Sequence, residues 1–242
     1  MNEVMAIAES VWHRILRMKV LYFLVGCAIV EISITSLYEI LMANEHRMLM
    51  VDASLMLTTL SALLCVLALA FDIPKELREG TIAALLSKPL GRTQYLVGKF
   101  VGICGVGIVV TTLISVGFCA VHNAVFDEIP ITAVEGHVLT IASVIPMAAL
   151  ALFFASLLGE AAAAVLTAAA VWFAHSVPVL SSVPVLYGGL IPDMNLFNLR
   201  AEATYNTPIG WGYVGLAALW GIIYAAGLVS LTGIVFNRRD LR

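Results

Sequence analysis

Every residue from Ala53 to Phe71 is uncharged, and Asp52 and Asp72 bracket the run. A helix crosses the hydrocarbon core of a bilayer with about 20 apolar residues. Stretches without Asp, Glu, Lys or Arg recur at 100–126, 136–159 and 203–237. The chain has 242 residues and is 61% hydrophobic but only 12% charged, where a soluble domain carries about twice that charge. Its mean hydropathy is +1.00, so much of its surface must meet lipid. A net charge of −3 gives no basic footprint for nucleic acid.

Charged residues divide the chain into six predicted spans: Val20–Met42, Ala53–Phe71, Leu96–Val121, His137–Leu158, Ala161–Leu180 and Tyr213–Phe236. The fold class is therefore all-α and integral to the membrane, one domain over 1–242. All Lys and Arg except Arg47 and Arg200 fall in the N-terminal segment, in Asp72–Lys99 or in the C-terminal tail. The positive-inside rule then places both termini in the cytoplasm. Glu3 and Glu9 precede the first apolar run, unlike a cleaved signal. Val4, Ile7, Ala8, Val11, Ile15 and Met18 recur at helical spacing and predict an amphipathic interfacial helix over 4–18. Between the fifth and sixth spans, Val183–Ile191 is too apolar for a solvated loop, which predicts short re-entrant helices on the outer side.

The segment 72–95 is the informative one. It mixes Asp72, Lys75, Glu76, Arg78, Glu79, Lys88 and Arg92 with Leu77, Ile82, Leu85 and Leu86 at helical spacing. Pro74 suits a first helical turn, and Lys88-Pro89 predicts the helix end. A loop that only touched anionic lipid would favour Lys and Arg alone. Glu76 and Glu79 point instead to a protein surface.

Glu76, Gly80-Thr81, Leu85-Leu86-Ser87, Pro89, Arg92 and Gly98-Lys99, following the second span, resemble the cytoplasmic loop of type-2 ABC transporter permeases. The ending Phe236–Leu241 is similar to that family's, and Ile191–Pro208 resembles a branch named for multi-copper enzyme and nitrous-oxide-reductase maturation. The resemblance implies a permease subunit, an exporter by direction, in a bacterial cytoplasmic (inner) membrane. It implies two copies of an ATP-binding cassette subunit and a second permease subunit, identical or related, with room for an extracytoplasmic accessory protein. It makes 72–95 the coupling region, with Glu76, Leu77, Arg78, Glu79, Gly80, Thr81, Ile82, Leu85, Leu86 and Arg92 as contacts.

No G-x-x-x-x-G-K-[ST] is present, since Gly98-Lys99 is followed by Phe100. ATP and magnesium would therefore bind the partner, and this chain is expected to hold no cofactor of its own. Glu160, at the turn between the fourth and fifth spans, is either a second contact to the ATP-binding subunit or a solvated turn residue. Glu31, mid-way along the first span, is either part of a translocation path or subunit interface, or a hydrogen-bonded structural acid, with His175 a candidate partner. His122, Asp127, Glu128 and His137 have poor spacing for a metal, and no metal is expected. Cys27, Cys65, Cys104 and Cys119 read as buried hydrophobes. No nucleophile–base–acid set is visible; the rival reading is an ATP-independent membrane carrier or an integral membrane enzyme.

Overall fold

The structure, a computed structural model, describes residues 2–15, 26, 46–82, 91–176 and 192–238. Among them every regular element is helical. In chain order these are α1 (Asn2–Ile15), α2 (His46–Ala70), α3 (Asp72–Arg78), α4 (Arg92–Phe126), α5 (Ile131–Leu157) and α6 (Glu160–Ser176). A 3-10 turn (Met194–Phe197), α7 (Arg200–Thr204) and α8 (Trp211–Asn237) complete the series. Four helices among the described residues are long and apolar enough to cross a membrane, and Glu160–His175 is a shorter apolar helix. The predicted first span and Val183–Ile191 lie outside the described residues, apart from Gly26.

Two helix boundaries differ from the sequence reading, each for its own reason. Charges were taken to end spans, yet Asp52 lies inside α2, with its carboxylate 2.5 Å from Nε of Arg200. The helix thus begins ahead of the predicted span. After α2, α3 carries Pro74 in its first turn as expected and breaks after Arg78, with Thr81 and Ile82 again helical; the predicted end at Lys88-Pro89 lies outside the described residues. Gly80 takes φ +70° there, and its N–H donates to the Leu77 carbonyl. This left-handed stop favours glycine because it lacks the Cβ that would clash.

α5 is the centre of the bundle, packing on α2, α4, α6 and α8. Most of Ser143–Ser156 is buried. α8 buries one stripe, Val214, Ala217, Gly221, Ala225, Leu228, Thr232 and Phe236, at the three-and-four spacing of a single helix face. Its other faces expose Leu216, Leu219, Ile222, Ile223 and Ile234. Apolar exposure on that scale marks a surface that meets lipid or another chain. The sequence, the four long helices and this outer surface make the chain a membrane protein.

Small residues set the helix distances, as small-xxx-small faces do in membranes. A Cβ on Gly107 of α4 would lie 2.7 Å from Val144 of α5. On Gly98 it would meet Ile7 of α1 at 2.7 Å, and on Gly102 it would meet Val11 at 2.8 Å. So Val4, Ile7, Ala8 and Val11, part of the apolar stripe read from the sequence, pack on α4. Phe197 fits against Gly221, where a Cβ would approach its ring to 3.0 Å. Gly221 is ten residues into α8, about 15 Å along it at 1.5 Å per residue.

Candidate functional site

The chemistry gathers at the end of the bundle that carries α3. Asp72 and Glu76 are four residues apart on α3, and Tyr95 and Lys99 are four apart on α4, so each pair shares one helix face. The two faces meet. Tyr95 Oη donates to Glu76 Oε2 at 2.5 Å, and Lys99 Nζ donates to Glu76 Oε1 at 2.7 Å. Arg14 of α1 completes the set, its Nη1 2.5 Å from Asp72 Oδ1 and 3.7 Å from Glu76 Oε1. Glu76, Asp72 and Lys99 are buried, and Tyr95 is fully so. Two acids and two bases cancel in charge, the condition under which ionised groups tolerate removal from water. Lys99 also lies 5.7 Å from the Tyr95 ring centroid.

The coupling residues expected from sequence therefore separate into two groups. Glu76 and Ile82 face inward, and Ile82 is 1% exposed. Leu77 is half-buried against the core. Arg78, Glu79, Gly80 and Thr81 are exposed. Arg92 donates from Nη1 to the Asn237 carbonyl at 3.1 Å, tying the start of α4 to the end of α8. A cation is well placed at those terminal carbonyls. Leu85 and Leu86 lie outside the described residues. Glu160, at the α5–α6 turn, sits beside this segment: its Oε1 is 2.7 Å from Arg78 Nη2. The exposed turn and the hairpin tip thus form one continuous charged surface.

Of the second pair, Glu31 lies outside the described residues. His175 donates from Nδ1 to the Val171 carbonyl of its own helix at 2.9 Å. Sequence reasoning named Asp72 and Lys99 without pairing them with Glu76, and it missed Tyr95 and the role of Arg14. The matching four-residue spacings on α3 and α4 were the available signal.

The opposite end is pinned by polar contacts of its own. Glu135, buried on α5, accepts from the N–H groups of Ile209 and Gly210, both at 3.2 Å, just ahead of α8. Thr132 donates to Asn206 at 2.9 Å. Arg47 pairs with Glu128, as Arg200 does with Asp52. His122 and His137 both lie against Phe118. Among the described residues no group of three or more His, Cys, Asp or Glu is placed to hold a metal. Cys65, Cys104 and Cys119 are unpaired thiols.

No curated protein matches the sequence. A family model described as "ABC-2 family transporter protein" matches residues 19–241, a range that takes in both the buried charge cluster from Asp72 onward and the exposed turn beside Glu160. This chain belongs to the ABC-2 transporter family.

Proposed function

We propose that the chain is the permease subunit of an ABC exporter, driven through Arg78–Thr81 and Glu160 by a separate ATP-binding subunit. Two copies of that subunit and a second permease chain would complete the assembly, with α3 and both termini in the cytoplasm. The observation that carries this reading is the Arg78–Glu160 pair. It unites two cytoplasmic turns into a surface of mixed charge, raised on a base too well paired to deform easily. Mixed charges at a rim set register with a partner more than they set affinity. The exposed apolar faces of α4, α6 and α8 are read as lipid contacts. The depth of Phe197 beside Gly221 supports a re-entrant course for the chain around 192–199.

The test is co-expression with a candidate ATP-binding cassette protein, followed by purification in lipid and an ATPase assay. Glu79→Lys, which reverses a charge on an exposed residue, is expected to leave the permease folded and to weaken co-purification. A fully retained complex with unchanged ATPase activity would remove this surface from the mechanism.

A further inference from the structure

Arg14 belongs to α1, yet its guanidinium sits on the acids of α3. The rest of α1 is keyed to α4 at Gly98 and Gly102. α3 is in turn held to the same stretch of α4 through Glu76, Tyr95 and Lys99. Three helices therefore share one charge cluster, buried but for the partly exposed Arg14, and one close-packed seam, all within about the first three turns of α4. We propose that α1, α3 and the start of α4 form a single rigid body, with Arg14 as the pin that makes α1 follow the exposed turn.

The consequence rests on the permease reading above. A push delivered at Arg78–Thr81 would not stop at α2 and α4, which α3 joins directly. It would also move α1 and, through it, the chain that runs on into the predicted first span. Neutralising Arg14 would leave the exposed surface intact while detaching α1 from it. Arg14 is a positioning residue in this scheme, acting through Asp72 and Glu76, and touches no partner itself.

Two measurements decide it. The first uses the full chain alone in lipid nanodiscs and follows amide hydrogen exchange. Arg14→Gln is expected to speed exchange about tenfold in 2–15 and 72–82 together, as one locally opening unit, while α5 keeps its protection. Arg14→Lys should restore most of that protection. Glu9→Gln, which alters an exposed i,i+4 contact with His13, should change nothing. Faster exchange in 2–15 with 72–82 unaffected would overturn the single-body proposal, as would faster exchange throughout the chain. The second uses the complex with the ATP-binding subunit and nitroxide pairs at Glu9→Cys with Lys75→Cys, and at Lys75→Cys with Asp127→Cys. On trapping with magnesium, ATP and vanadate, the first distance should stay fixed while the second changes. A changed first distance, or no change in the second, would overturn the proposal. Failure to form the complex would count against the permease reading alone, because the exchange measurement still decides the rigid body.

Discussion

Lys99 Nζ lies 2.7 Å from Glu76 Oε1 in a site where both residues are more than nine-tenths buried. Breaking a buried pair from one side leaves a lone charge without water. Lys99→Met is expected to destabilise the folded chain by about 3–5 kcal/mol. Removing both charges with Glu76→Gln and Lys99→Met should recover most of that loss, because neutral groups no longer need a counter-ion. Denaturant unfolding of the single and double variants in detergent micelles measures the difference. Additive losses in the double variant would show that the two residues do not depend on each other.

The seam between α1 and α4 should be sensitive at two glycines and tolerant at a third. Gly102→Val drives a side chain into Val11 and is expected to destabilise by about 1–3 kcal/mol and to expose α1 to protease. Gly98→Val should do the same through Ile7. Gly105 has open space around its Cβ position, so Gly105→Ala should be neutral or slightly stabilising, as expected for a helix interior. Limited proteolysis with thermal denaturation separates these outcomes.

At the opposite end, burial predicts which polar contact matters. Glu135→Ala strands two N–H groups ahead of α8 and should destabilise by about 1–3 kcal/mol. Arg200→Ala removes an ion pair whose side chains are 42% and 36% exposed. Solvent screening limits that loss to below about 1 kcal/mol. Thermal unfolding of the two variants side by side tests the ranking.

Topology is accessible to labelling. In a background with the four native cysteines replaced, Glu79→Cys should react with an impermeant maleimide only from the cytoplasmic side, and Asp127→Cys only from the outer side. The asymmetry of Lys and Arg motivates this. Reaction of both from the same side would overturn the orientation proposed for α3 and both termini.

Much of the fold was legible because lipid imposes a length on apolar runs. The predicted spans Ala53–Phe71, Leu96–Val121, His137–Leu158 and Tyr213–Phe236 each fall largely within a long helix. Their ends were less legible. Asp52 read as a boundary because a lone carboxylate cannot enter hydrocarbon, and that α2 runs on ahead of it, with Asp52 paired to the distant Arg200, appears only in the fold. Gly80, visible in the sequence as part of a motif, was not read as the stop of α3, since its positive φ is a property of the folded backbone.

Which of the candidate residues turn outward was not legible in the sequence, for a related reason. Helical spacing says that residues share a face, not what the face meets. The spacing of Val4, Ile7, Ala8 and Val11 predicts an apolar stripe, and the glycines on α4 that receive it are visible only in the fold. Glu76 and Glu79 are equally acidic and three residues apart, yet one is buried and the other exposed.

By itself the sequence determined that the chain lives in lipid, where its apolar runs cross, and which short segment carries mixed charge. Those properties follow from local composition, which no folding event can alter. Only the tertiary structure decided which of those charges turn inward. Burying Glu76 requires Tyr95 and Lys99 from one helix and Arg14 from another to arrive within hydrogen-bonding or ion-pairing distance. The free energy of an ion in a dry site depends on those neighbours rather than on its own chemistry.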